Sequence, residues 1–236
     1  MRRGRPGRLA RARALKAKAL AARSARFADR LQVNDVSLLD PELVQEIVAR
    51  HSKLRLAIKR LFDIAFALVG LLLAAPLLVV CALLIPLDSR GPVVFRQPRM
   101  GYRNRPFTII KLRTMDSSGR VTRVGRLLRP TGLDELPQLW HVLTGDMSVV
   151  GPRPEVLDRV PRWERELRGY WARHLMRPGI TGFAQVNGLR GDVSIPQRLS
   201  FDLHYLSTWS LLLDGRILFG TVAAVWRDTQ RAFHRR

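Results

Sequence analysis

The chain is 236 residues long and carries 41 lysines and arginines against 19 aspartates and glutamates, a formal net charge of +22 at pH 7. That length suits one domain with a core plus an extension. That charge points to an anionic partner: nucleic acid, an acidic lipid surface or phosphorylated small molecules. The single cysteine, Cys81, excludes an internal disulfide framework and a multi-cysteine metal site. It lies in an apolar run, where a buried, inert thiol is expected.

The first thirty residues hold eleven basic side chains and one acid, Asp29, and lack the apolar core of a signal peptide. They read as a basic arm, disordered or loosely helical, able to contact anionic lipid at about 1 kcal/mol per basic residue. "DPELVQEIVARH" reads as a short helix with Asp40 as N-cap and Pro41 in its first turn. From Ile64 to Leu87 the chain then runs 24 residues without a charge, long enough to span a bilayer. Pro76 sits near the middle, where it removes a backbone hydrogen bond and kinks a helix. Each half is then about 18 Å long, short of the roughly 30 Å hydrocarbon core. Both flanks are basic, with Lys53, Arg55, Lys59 and Arg60 before and Arg90, Arg96 and Arg99 after. Positive charge marks the cytoplasmic side, so a helix that bends at Pro76 and leaves on the face it entered satisfies both flanks. An ordinary kinked span is the alternative.

"PVVFRQPRMGYRNRPFTIIKLRTM" reads as a β-hairpin whose turn is "GYRNR". "VTRVGRLLRPTGLDELPQLWHVLTGDM" reads as helix, break, helix, and "SVVGPRPE" as a rigid loop. "VLDRVPRWERELRGYWARHL" is helical, "RPGITGFAQVNGLRGD" is a glycine-rich region with one short strand at most, and the remaining tail is helical. Tyr205, Trp209 and Trp226 suit either a membrane interface or core packing. The five histidines lack metal-ligand spacing.

Two readings fit Asp134. Thr131, Gly132, Leu133 and Asp134 match a capping box, T-x-x-D. Alternatively a helix starts at Asp134 or Glu135, which leaves Pro137 in the tolerated first turn. Both carboxylates would then sit at a helix N-terminus, kept ionised by its partial positive charge and close to where phosphate binds. Ionised carboxylates beside phosphate and Mg²⁺ can act as ligand, general base or nucleophile. In "GPRP", Arg153 is pinned between two prolines, a fixed guanidinium suited to two-pronged phosphate recognition.

The ordered series "KRLFD", a proline-broken apolar segment, "PVVFRQPRMG", "KLRTM", "RVTRVGRLLRPTGLDELPQLWHVLTGDMSVVGPRP", "RPGITGFAQVNG" and "YLSTWSLLLD" resembles the bacterial sugar transferase family, from about Lys59 to Asp228. These are monotopic phosphoglycosyl transferases of the cytoplasmic membrane. The resemblance implies transfer of a sugar 1-phosphate from a UDP-sugar to undecaprenyl phosphate, with release of UMP and with Mg²⁺ as cofactor. It implies Asp134 as the nucleophile that takes the phosphosugar and Glu135 as base or metal partner. Arg153 is implied as a phosphate contact, and Arg129, Gln138 and Arg96 are expected to join it. "NGLRGD" resembles the branch that transfers hexose 1-phosphate. Ala75 precedes Pro76 where members commonly carry serine.

The resulting expectation is a mostly α protein with a small β-hairpin: a membrane-associated α+β fold with a re-entrant helix broken at Pro76 and interfacial amphipathic helices. Residues 1–58 form a basic extension, 59–88 the membrane helix, 89–228 a cytoplasmic catalytic domain and 229–236 a basic tail. Expected partners are the UDP-sugar, undecaprenyl phosphate and anionic membrane lipid, and the reading is compatible with a homodimer. A nucleic-acid partner is not expected, because no aromatic-interleaved basic patch or helix-turn-helix pattern is present.

Overall fold

The computed structural model describes residues 40–191 and 194–233, with side chains through Gln230. The basic arm lies outside the described residues, as do Asp192 of "NGLRGD" and the last three residues of the tail.

Helix α1, Pro41–Ala49, starts as expected, with the Asp40 carboxylate accepting from the Glu42 N–H at 3.2 Å. Its inner face buries Val44 completely. Gly169, at φ +77°, makes room for Pro41, since a Cβ there would lie 2.0 Å from the proline ring.

Helix α2, Lys53–Asp88, is continuous through Pro76 and Pro86. Its buried positions, Lys59, Asp63, Ala67, Ala74, Cys81 and Ile85, recur at helical spacing and make one narrow stripe. The other faces are open: Leu72, Leu73 and Leu87 are each more than 70% exposed. Only 17% of its most apolar window is buried in the protein, so α2 is not the core helix of a water-soluble domain.

Strands β1, Val94–Met100, and β2, Pro106–Leu112, form the expected antiparallel hairpin, pairing Phe95 with Lys111 and Gln97 with Ile109. Helix α3, Arg123–Thr131, is capped by Thr122 Oγ1, which accepts from the Gly125 N–H at 3.0 Å, and stops at Gly132 in the left-handed region. A 3₁₀ turn, Leu133–Gln138, leads directly into α4, Leu139–Thr144. This corrects the capping-box reading: Thr131 belongs to the preceding helix, and its hydroxyl donates back to the Leu127 and Leu128 carbonyls.

"SVVGPRPE" is not all loop. Its first three residues form β3, Ser148–Val150, paired in parallel with β4, Gly179–Thr181. A three-residue strand whose partner lies some thirty residues away leaves no local period to read. Between them, the expected single helix is divided by Gly169 into α5, Val160–Glu166, and a 3₁₀ segment, Tyr170–Leu175. Helices α6 (Phe183–Val186), α7 (Ile195–Thr208) and α8 (Leu211–Phe233) complete the fold. The main core joins Met147, Val149 and Val150 to Tyr170, Leu206 and Ile217. Tyr205 and Trp209 belong to that core, whereas Trp226 is 65% exposed.

Candidate active site

The 3₁₀ turn between α3 and α4 exists because Gly132 reverses the chain and Pro137 is accommodated there. It presents Asp134 and Glu135 in its first turn, against strand β2. The two acids have different surroundings. Glu135 meets Arg153 as a two-pronged fork: Arg153 Nη1 donates to Oε2 at 3.1 Å and Nη2 donates to Oε1. Burial pushes the Glu135 carboxyl up, but Arg153 outweighs it and holds the acid below its usual range. Asp134 is 7% exposed, and among the described residues no other side chain ion-pairs or hydrogen-bonds with it. Burial and then the Glu135 charge push its carboxyl up to about 6, against the pull of Lys111 and Arg129. The partial positive charge of the turn's N-terminus therefore does not hold Asp134 in the usual carboxylate range, although a carboxyl at about 6 is still mostly ionised at pH 7. A six-residue 3₁₀ turn has little dipole to oppose desolvation and a neighbouring charge.

Arg99, Ile109, Lys111, Glu135, Gln138, Arg153 and Pro154 line a small open cleft. Three of the expected site residues, Glu135, Gln138 and Arg153, thus meet there. Arg129 lies exposed on the last turn of α3, and its charge is felt at Asp134. Arg96 is exposed and outside the cleft. Side chains alternate along a strand, so Arg99, three positions on, faces the opposite side from Arg96. Arg99 and Lys111 were present in the motifs "FRQPRMG" and "KLRTM", and the hairpin register was the signal that could have selected them. Burial, then repulsion from Arg153, lowers the Arg99 guanidinium to about 10. Burial lowers Lys111 too, opposed by Asp134 and Glu135.

The backbone around Arg153 is held on every side. Arg99 Nη1 donates to the Pro154 carbonyl at 2.9 Å. Arg173, fully buried, donates to the Arg153 carbonyl at 2.8 Å, to the Tyr170 hydroxyl at 2.8 Å and to Asp202 at 2.7 Å. Arg198 pairs with Glu155 at 3.3 Å and donates to the Gly191 carbonyl at 2.8 Å. The glycines of "RPGITG" serve the same loop: a Cβ on Gly179 would lie 2.1 Å from Gly151 N. Behind it, "KRLFD" and "YLSTWSLLLD" converge. Lys59 Nζ donates to Asp214 at 2.7 Å, and Asp214 also accepts from the Tyr205 hydroxyl at 2.8 Å and Trp209 Nε1 at 3.2 Å. Of these buried ion-pair members the sequence reading named only Lys59, as a basic flank of the apolar run, and the structure turns it into the domain instead.

Among the described residues no group of three or more His, Cys, Asp or Glu side chains could hold a metal. Asp134 and Glu135 nevertheless suit Mg²⁺, which takes hard oxygen donors and is commonly held by one or two carboxylates, with water and substrate phosphate completing the shell. His141 is structural, accepting from the Ile110 N–H at 3.2 Å.

Adjacent carboxylates thus stand among arginines and a lysine, on a domain that carries one long exposed apolar helix. The chain belongs to the bacterial sugar transferase family, whose profile matches residues 54–228. It is 43% identical over 182 residues to the UDP-glucose:undecaprenyl-phosphate glucose-1-phosphate transferase of Escherichia coli, covering 70% of this chain and 39% of that protein. The Caulobacter vibrioides protein of the same name is 45% identical over 184 residues, covering 71% of this chain and 69% of its own. An exopolysaccharide production protein of Rhizobium leguminosarum is 44% identical over 190 residues, covering 72% of this chain and 95% of its own. The chain thus spans well under half of the Escherichia coli relative and most of the Rhizobium one.

Proposed function

We propose that the protein transfers a hexose 1-phosphate from a UDP-hexose to undecaprenyl phosphate, releasing UMP, as a priming step of exopolysaccharide or other surface-glycan synthesis. The observation that carries this reading is the pair Asp134 and Glu135 set differently: one carboxylate with no side-chain hydrogen bond or ion pair among the described residues, the other locked to Arg153. The names of the Escherichia coli and Caulobacter vibrioides relatives, both glucose-1-phosphate transferases, support glucose as the donor's sugar, as does "NGLRGD".

Asp134 is the nucleophile. Its ionised oxygen attacks the phosphorus that bears the sugar, the bond from that phosphorus to UMP breaks, and UMP leaves with the electron pair. An oxygen of undecaprenyl phosphate then attacks the same phosphorus, and the Asp134 carboxylate is released unchanged. Arg153, Arg99 and Lys111 stabilise charge on the transferring phosphoryl group, and their placement costs no reorganisation during the step. A phosphate can replace the Glu135 carboxylate on the planar fork of Arg153, because both present two oxygens at matching spacing. Asp134 and Glu135 would hold Mg²⁺, which supplies charge neutralisation at the donor's phosphates.

The membrane helix is re-entrant in this reading, and the catalytic domain lies on the cytoplasmic face of the cell membrane. Support comes from its two ends. Lys59 Nζ donates to the Val150 carbonyl at 3.1 Å, and Asp88 Oδ2 accepts from the Val124 N–H at 2.7 Å. Both partners belong to one folded domain, which a helix crossing the bilayer would have to straddle. The exposed flank residues Lys53, Arg55, Arg90 and Arg96 then face anionic headgroups, while Lys59, Arg60 and Arg99 are turned into the domain.

The test is to incubate membranes holding the full chain with undecaprenyl phosphate, Mg²⁺ and each of a panel of UDP-sugars, and to measure UMP. Release with UDP-glucose or UDP-galactose is expected. Release only with UDP-N-acetylamino sugars would overturn the hexose assignment, and no release with any donor would overturn the reaction.

A further inference from the structure

Lys59 and Arg60 are consecutive on α2, so their side chains leave the helix about 100° apart. They reach two different segments. Lys59 Nζ donates to the Val150 carbonyl at 3.1 Å, one residue before the Gly151-Pro152-Arg153 turn. Arg60 Nη1 and Nη2 donate to the carbonyls of Val142 and Leu143 at 2.5 and 2.9 Å. Those carbonyls belong to the last turn of α4, which has no further helix to accept from and ends at Gly145 with φ +96°. Helix α4 follows the Asp134–Glu135 turn without a break. One residue therefore grips the strand that delivers Arg153, and the next grips the helix that delivers Glu135.

The grip is built to be rigid. The Lys59 side chain is 8% exposed and is fixed by Asp214 at 2.7 Å, with Asp63 at 3.9 Å. Asp63 accepts from the Val149 N–H at 3.0 Å, and the Tyr205 hydroxyl reaches the Val150 carbonyl at 3.3 Å, so β3 is held at three points. Arg177 donates to the Gly145 carbonyl at 2.9 Å, which leaves the end of α4 clasped by two arginines.

We infer that Lys59 and Arg60 are positioning residues for the transfer, which makes the base of the membrane helix the frame that sets the Glu135–Arg153 spacing. The helix is then part of the machinery as well as an anchor, and anything that tilts it in the bilayer acts on the site. This rests on the proposed sugar-phosphate transfer. Neither residue touches substrate, so their loss slows the chemical step more than it weakens donor binding.

The experiment compares full-length wild type, Lys59→Met, Arg60→Met and Arg60→Lys in nanodiscs. It measures UMP release, membrane association, thermal unfolding and amide hydrogen exchange. In both Met variants, kcat should fall about tenfold to a hundredfold, as for an ångström-scale misplacement, with KM for the UDP-sugar within about threefold. Exchange should quicken in segments 133–144 and 148–154 while membrane association is kept. Arg60→Lys retains charge and reaches fewer carbonyls, so its kcat should fall between wild type and Arg60→Met. Folded Met variants with normal kcat, or with lowered kcat and unchanged exchange in those segments, would overturn the inference. If the Met variants fail to fold, Arg60→Lys decides: an intermediate kcat supports positioning and a wild-type kcat overturns it. A wild type that releases no UMP sinks the proposed reaction instead, and the exchange data alone then judge the positioning role.

Discussion

Glu135 and Arg153, eighteen residues apart, face each other through two parallel hydrogen bonds, one of them Nη1 to Oε2 at 3.1 Å. A lysine at 153 would keep the charge and lose the fork. Arg153→Lys should lower kcat by about a hundredfold, comparable to removing one oriented donor at a developing charge. Thermal unfolding should be nearly unchanged, since the backbone there is held by Arg99 and Arg173. Near-normal turnover in the lysine variant would exclude a two-pronged phosphate contact.

In the proposed reaction Asp134 couples activity to pH. Its carboxyl, pushed up to about 6, is protonated below that value and cannot attack phosphorus, so turnover should fall as pH drops through about 6. The same burial destabilises the fold. A carboxyl whose folded pKa is raised costs stability while it is ionised, and that cost disappears as pH falls toward the unfolded value of 3.8. Asp134→Asn should therefore be more stable than wild type by about 1–3 kcal/mol at pH 8, with the difference shrinking by pH 4. Melting curves across that range test the sign.

The Arg173–Asp202 pair is almost wholly buried at 2.7 Å. Arg173→Met leaves Asp202 as an uncompensated buried carboxylate and should destabilise the protein by about 3–5 kcal/mol. It also releases the Arg153 carbonyl, so any folded fraction should be slow. Chemical denaturation with and without the substitution measures the first effect and UMP release the second.

Topology can be tested by labelling single cysteines engineered near Arg50 and near Asp116, with the buried Cys81 replaced by serine. Both positions should be protected from impermeant reagent added outside the cell. Labelling of either one from outside would mean a crossing helix. Pro76→Leu should shift some molecules toward that state, because the residue most able to bend α2 is gone.

Much of this was legible in the sequence because it is written locally. Asp40-Pro41 announces a helix start, and the uncharged run from Ile64 to Leu87 announces a long apolar helix. Two β-rich runs around "GYRNR" announce a hairpin. Asp134, Glu135 and Arg153 stood out by adjacency and by flanking prolines. What stayed hidden depends on long-range partners. Val150 pairs with Thr181, Lys59 reaches Asp214, and Arg173 reaches Asp202, and no window of sequence contains both members of such a pair. Arg96 and Arg99 share the motif "FRQPRMG", and the strand's alternation, which needs the hairpin register, decides which one faces the cleft.

The proposed chemistry places a covalent bond on one named atom pair, from Asp134 oxygen to the sugar-bearing phosphorus. Full-length protein, Mg²⁺ and the UDP-hexose active in the release assay should be mixed without undecaprenyl phosphate, quenched, and weighed intact by mass spectrometry. The prediction is a mass gain of one hexose phosphate in the wild type and none in Asp134→Asn, with ping-pong kinetics once the lipid acceptor is supplied. An Asp134→Asn protein that still turns over, or wild-type kinetics requiring donor and acceptor bound together with no mass gain, would contradict it.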